Sequence, residues 1–198
     1  MIITIAGFKG GCGKTTTAIH LAAYLNMQKP ALLIDGDANR SALEWDSRGP
    51  GLPFKVVDEK LTARYVRDFE HIVIDTEARP ADRDLATLAE GCDLLILPTT
   101  PDALSLAALL HTVEALRALK AEHYRVLLTI LPPRPSRDGD EARELIEEKG
   151  LPIFEGGIRR FVAFQKAALA GVTVDLASDP HASDGWNDYL EIGRQINL

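Results

Sequence analysis

The 198-residue sequence predicts an α/β fold with a mostly parallel, twisted sheet and helices on both faces. Three observations carry this expectation. Short apolar runs alternate with helix-length stretches along the whole chain, the order expected of βα units. Several of these runs, Ile2–Ala6 and Ile72–Ile74 among them, are apolar at successive positions, which suits strands covered on both faces. No internal repeat, low-complexity segment or linker divides the chain. Residues 1–198 therefore read as a single domain, long enough to bury a full core.

The elements follow in order. Ile2–Ala6 opens the sheet and runs into a glycine-rich turn, after which Lys14–Met27 reads as a helix. Ala31–Asp35 and Phe54–Val57 are the next strands, and Asp58–Phe69 is expected as one helix. His71–Asp75 is a strand, Ala81–Glu90 a helix and Asp93–Pro98 a strand. Asp102–Leu119 is a helix that opens on a residue suited to capping it. Arg125–Leu131 is a strand, Asp140–Lys149 a helix, Leu151–Phe154 a short strand and Phe161–Ala170 a helix. In the last helix, Ser183–Ile196, Trp186, Tyr189, Leu190, Gly193 and Ile196 recur at helical spacing, the pattern of a core-facing stripe. Its polar face carries Asp184, Asp188 and Glu191 with only Arg194 basic. A membrane-surface helix wants Lys and Arg there, so no membrane partner is expected.

Composition narrows the function classes. Hydrophobic residues make up 46% and charged residues 26% of the chain, an ordinary globular balance. No run of about 18 apolar residues is present, and the N-terminus lacks the basic start of a signal peptide. Two cysteines, Cys12 and Cys92, form neither a metal cage nor a disulfide framework, and the five histidines have no metal-ligand spacing. A cytoplasmic setting is expected. The net charge of −7 argues against strong DNA binding by a single copy, though not against a local basic patch.

The chemistry concentrates after the first strand, in Phe8-Lys9-Gly10-Gly11-Cys12-Gly13-Lys14-Thr15-Thr16. A strand that turns through glycines into a helix directs backbone N–H groups and a helix N-terminus at an anion. Lys14 is placed to reach β- and γ-phosphates and the Thr15 hydroxyl to ligate Mg²⁺. Two further strands end in carboxylates. Asp35 and Asp37 stand two residues apart, on one side of an extended chain. Either could orient water or help hold a cation; for Asp35 helix capping or loop solvation is an equal alternative, whereas for Asp37 the functional role is the expectation. Ile72-Val73-Ile74-Asp75 ends in a carboxylate suited to Mg²⁺.

The nine-residue run resembles the deviant Walker A box, K-G-G-x-G-K-[ST], of the ParA/MinD family of dimerising ATPases, with Phe8 at the first glycine position of the ordinary pattern. The resemblance extends over nearly the whole chain. It implies a P-loop NTPase fold with ATP and Mg²⁺ as cofactors. Gly10, Gly11, Cys12, Gly13, Lys14, Thr15 and Thr16 would bind the phosphates, and Thr15 with Asp75, in a Walker B position, would hold the metal. Lys9 would cross a homodimer interface to the partner's ATP, and Asp37 would position the hydrolytic water, so that Lys9, Lys14 and Asp37 form the catalytic set. The family's D-x-D-P-Q reads here Asp35-Gly36-Asp37-Ala38-Asn39, with alanine in the proline's place. Glu77-Ala78-Arg79-Pro80 is bulkier than the usual second switch. Pro98-Thr99-Thr100-Pro101-Asp102 resembles the family's P-x-x-P segment, and Pro132 lies where relatives contact adenine. Arg159, Arg160 and Lys166, in a stretch like the R-x-x-[FY]-x-x-A-x-x-G of small ParA proteins, are the candidates for DNA backbone contacts, with Arg134, Arg137 and Arg194 behind them. The implied function is ATP-switched positioning or partition of cargo, plasmid DNA or carboxysomes. It implies weak basal hydrolysis, nonspecific nucleoid DNA as the track and a ParB-like or carboxysome adaptor that stimulates turnover. The alternative is a metabolic P-loop enzyme of the same superfamily, of the cobyrinic-acid amidation or reductase-like kind. Cys92 alone does not supply the two cluster cysteines per subunit of an iron protein.

Overall fold

The computed structural model describes residues 1–7, 9–78 and 82–196. Six parallel strands form one sheet: β1 (Ile2–Gly7), β2 (Ala31–Gly36), β3 (Lys55–Asp58), β4 (His71–Ala78), β5 (Leu94–Thr99) and β6 (Tyr124–Leu128), in the order β3-β2-β4-β1-β5-β6. The helices are α1 (Lys14–Asn26), α2 (Ser41–Ser47), α3 (Thr62–Tyr65), α4 (Asp82–Glu90), α5 (Ala103–Ala118), α6 (Asp138–Glu148), α7 (Val162–Ala170) and α8 (Ala182–Ile196).

Side chains alternate across the strands and build a core on each face. Ile96 joins Ile3, Ile5, Leu33 and Val73 beneath α1, α7 and α8, whereas its neighbours Leu95 and Leu97 pack with Leu109, Val113 and Ile146 of α5 and α6. Burying each of these aliphatic side chains contributes about 1.5–3 kcal/mol. The stripe expected on the last helix is the one α8 buries. Tyr189 and Ile196 are core residues, and Trp186 and Leu190 pack against them. Gly193 lets α8 close on α1, because a Cβ there would sit 2.5 Å from the Tyr24 ring.

Four elements differ from the sequence expectation. Asp58–Phe69 is not one helix. It breaks into a 3₁₀ turn (Glu59–Leu61), the single-turn α3 and a second 3₁₀ turn (Val66–Asp68); none of these residues is buried, and Tyr65, Val66 and Phe69 are only partly buried against the sheet, too little packing to hold one longer helix in place. The strand expected to reach Leu131 ends at Leu128, since Ile130 turns the chain with φ 54°. Leu151–Phe154 makes only one bridge, Val126 to Ile153. The short helix α2 was not expected and owes its existence to a buried acid, Asp35, at its start. The expectations for Phe8, for Arg79 and Pro80 and for a helix start at Ala81 lie outside the described residues.

Candidate functional site

The carboxyl ends of the strands form the rim where ligands of open α/β sheets bind. The glycine turn sits there, at the end of β1. Gly11 and Gly13 adopt φ 80° and 83°, a region that glycine occupies without a Cβ clash. Gly13 is the N-cap of α1, and it has no side chain to cap with; no acid stands in the first turn. The first ladder bond runs from Thr17 N to Gly13 O at 2.8 Å. The N–H groups before it therefore meet a cleft of about 620 Å³ at the positive end of α1, an anion site by construction. A Cβ at Gly10 or Gly11 would meet nothing within 4 Å, so the cradle is open on its ligand side. Lys14, Thr15, Thr16 and Asp37 line the same cleft. Burial pushes the Cys12 thiol up and keeps it a neutral packing group.

Asp35 and Asp75 are register partners on β2 and β4, both fully buried. Asp35 Oδ2 accepts the α2 amides of Ala42 and Leu43, each at 3.0 Å, and its Oδ1 accepts Asp37 N at 3.1 Å. Asp35 is thus a helix cap, one of the two roles open to it from sequence. Among the described residues, neither oxygen of Asp75 has a hydrogen-bond partner. Burial, the largest influence, raises its carboxyl to about 7. The Thr15 hydroxyl and the Lys14 charge pull the other way, the hydroxyl without completing a hydrogen bond, while Asp35 and Asp37 push it further up. A buried carboxylate left without partners beside a hydroxyl and a phosphate cradle has the donor chemistry for a hard cation, so the residues fit Mg²⁺.

Asp37 forms an Asx turn. Its Oδ1 accepts Asn39 N at 2.8 Å and Asn39 Nδ2 at 2.9 Å, and its carbonyl accepts Arg40 N at 2.9 Å. Hydrogen bonds here replace the rigidity of the absent proline at position 38. Arg40, with φ 55°, bonds Asp35 O at 3.2 Å and pairs with Asp58 at 3.0 Å, closing the loop.

Lys9 does not point freely outward. Its Nζ donates to Asp102 Oδ1 at 2.8 Å and to Ser105 Oγ at 2.9 Å. Asp102 caps α5 by accepting Ser105 N at 3.0 Å, and Thr100 Oγ1 lies 2.5 Å from its Oδ2. Lys9, the largest influence, and the two hydroxyls hold the Asp102 carboxyl well below the usual carboxylate range.

The remaining candidates divide. Pro132 does not line the phosphate cleft but a neighbouring groove of about 720 Å³, and the two spaces meet at Arg159, Arg160 and Phe161. Arg159 grips the buried carboxylate of Asp188 through Nε at 3.0 Å and a second nitrogen at 2.7 Å, and it lies over the Phe161 ring. Lys166 pairs with Asp179 at 2.9 Å. Arg160 is exposed and bonds Leu131 O only through its backbone N–H, at 2.9 Å.

Sequence reasoning missed three residues that hold the loop and its helix. The Thr129 hydroxyl lies 2.8 Å from Cys12 O and 3.2 Å from Thr99 O, anchoring the cradle to β5. His20, fully buried among Trp45, Phe164 and Tyr189, bonds Thr16 O through Nδ1 at 2.7 Å and accepts Val174 N at Nε2 at 2.9 Å. Tyr189 OH meets Thr17 Oγ1 at 3.1 Å. No local pattern announces such partners, which lie 117, 154 and 172 residues apart.

Comparison with known proteins agrees with this geometry. The profile of the CobQ/CobB/MinD/ParA nucleotide binding domain matches residues 3–174. A "Maintenance of carboxysome distribution protein A" of Gloeobacter kilaueensis is 34% identical over 99% of this chain and 94% of its own. One of the same description from Halothiobacillus neapolitanus is 25% identical, over 87% of this chain and 85% of its own. A solved ATP complex of a Cyanothece McdA variant superimposes with TM-score 0.72 at 19% identity, covering 98% of this chain and 94% of the other, a likeness of fold. Among the described residues, no helix is long and apolar enough to cross a membrane.

Proposed function

The chain belongs to the CobQ/CobB/MinD/ParA nucleotide-binding family, and from that premise we propose that it is an ATP-hydrolysing positioning protein of the ParA type, whose cargo is a carboxysome or a plasmid. The observation that carries the reading is Asp75: a fully buried acid with both oxygens unpartnered, beside Thr15 and Lys14 at the mouth of an uncapped helix. Gly10–Thr16 would hold the triphosphate with Lys14 pairing its charge, and Thr15 with Asp75 would hold Mg²⁺. The metal's chemistry, when bound, is to neutralise charge that builds on the phosphate oxygens. Asp37 orients the attacking water from the switch loop. Lys9 reaches the partner's nucleotide in an ATP-dependent homodimer. The full-length similarity to carboxysome-distribution proteins supports the choice of cargo class.

In this reading the protein is cytoplasmic and associates with the nucleoid through phosphate contacts that need charge and reach but no sequence. Arg160 is the best-placed cation, being exposed with no ion pair to its guanidinium among the described residues. A ParB-like or carboxysome-side adaptor accelerates a slow basal turnover. The test is DNA retention and molecular mass without nucleotide, with ADP and with ATP–Mg²⁺. Dimerisation and DNA binding confined to ATP support the reading. A monomer indifferent to DNA in all three states overturns it in favour of a metabolic enzyme of the same superfamily.

A further inference from the structure

Lys9 and Asp102 lie 93 residues apart, yet they meet at 2.8 Å on the rim of the sheet. The amine has two acceptors there, Asp102 Oδ1 and, at 2.9 Å, Ser105 Oγ. The second is held in place by the first: Ser105 Oγ also lies 2.6 Å from Asp102 Oδ2, and 2.6 Å from Thr100 Oγ1. The backbone of Lys9 is tied as well, its carbonyl accepting from Cys12 Sγ at 3.2 Å. With its main chain fixed to the cradle and its amine fixed to the start of α5, Lys9 lies back along its own subunit.

We propose that Asp102 is a positioning residue for Lys9: with Ser105 it latches the lysine onto its own subunit and so sets how readily two ATP-loaded copies join. The inference rests on the reading that Lys9 reaches across a dimer, which it deepens. One amine cannot serve Asp102 and a partner's phosphates together, so each subunit must open its latch before the dimer closes. Both members are substantially exposed, 38% for the Lys9 side chain and 48% for that of Asp102, so the latch is weak enough to open without help. An exposed pair of this kind is worth about a two- to fivefold bias. Two latches open per dimer, and independent effects multiply, giving about four- to twenty-five-fold in the dimer dissociation constant.

Two variants test this, each with its fold checked by thermal melting. Asp102→Asn keeps a capping oxygen for α5 and removes the charge; Ser105→Ala keeps Asp102 and the cap and removes one acceptor. Two quantities are read: the dimer dissociation constant in ATP–Mg²⁺ by sedimentation, and the acylation rate of the Lys9 amine in nucleotide-free protein by mass spectrometry. The second reports on the latch alone, which a merely structural cap would leave unchanged. The expected result is faster Lys9 acylation in both variants, with dimerisation tightened about four- to twenty-five-fold in Asp102→Asn and less in Ser105→Ala. Should Asp102→Asn melt early, Ser105→Ala carries the test. If Lys9→Ala is monomeric while both latch variants dimerise as the unmodified chain does, the latch is overturned and the crossing lysine stands. If Lys9→Ala still dimerises with ATP, the crossing role and the latch's control of it are overturned together.

Discussion

Asp35 and Asp75 stand opposite each other in the β2–β4 register, both fully buried, and only Asp35 has its oxygens satisfied. Strand pairing delivers two equivalent acids to one rim, and what lies beyond them separates their roles. Past β2 the chain makes one short loop and starts a helix, and the α2 amides claim Asp35. Asp75 faces the phosphate cradle, where no amide of the described residues reaches it. Burial without partners favours its protonated form, and a bound cation would favour the charged one.

That difference predicts a pH dependence of stability in the nucleotide-free protein. Asp75 ionises at 3.8 in the unfolded chain and at about 7 when folded, so folding retains its proton and the associated stability falls as pH rises from about 4 to about 7. His20 works in the opposite direction over the same window. Burial lowers it from 6.5 to about 4, so stability is gained as pH rises through that interval. The two oppose, and Asp75→Asn is expected to uncover the His20 contribution. The unfolding free energy of this variant, read from urea titrations, should climb, relative to the unmodified chain, by up to roughly 4 kcal/mol between pH 4 and 7. A parallel pair of profiles would show that Asp75 is charged in the folded protein throughout.

Lys14→Ala should weaken nucleotide binding about 10- to 100-fold by calorimetry, because it removes charge-assisted bonds to phosphate. Thr15→Val should instead lose chiefly the Mg²⁺ dependence of that binding. Equal losses with and without Mg²⁺ for Thr15→Val would remove its hydroxyl from the metal's shell.

Arg159 and Arg160 are adjacent in sequence and opposite in structural role. Arg159→Glu places a negative charge against the buried carboxylate of Asp188 and should cost about 2–4 kcal/mol, read as a lower denaturation midpoint. Arg160→Glu should leave the midpoint within about 0.5 kcal/mol and weaken retention on DNA at low salt. DNA retention unchanged in Arg160→Glu would move the contact elsewhere on the surface.

Gly193→Ala should destabilise by about 1–3 kcal/mol, since a Cβ would lie 2.5 Å from the Tyr24 ring and force α8 away from α1. Circular-dichroism melting checks this, and a melting temperature equal to that of the unmodified chain would mean the ring can step aside.

The sequence alone determined what is local. Hydrophobic runs specified four of the six strands to within a residue at each end, because a strand covered on both faces must be apolar along its length; β4 and β6 differ by three residues at their C-terminal ends. The glycines, Lys14 and Thr15 announced the cradle, because a β-to-α turn closes around an anion with neighbouring residues only. The tertiary structure decided how each charged group is used. Asp35 became a cap and Asp75 an open acid, Arg159 was bound to Asp188 while Arg160 has no ion pair among the described residues, and Lys9 was drawn to Asp102. Such pairings span 7 residues for Asp35 with Ala42, 29 for Arg159 with Asp188 and 93 for Lys9 with Asp102, and a charge takes its role from whichever opposite charge, amide or empty cleft the fold brings within about 3 Å, a distance that no periodicity in the chain encodes.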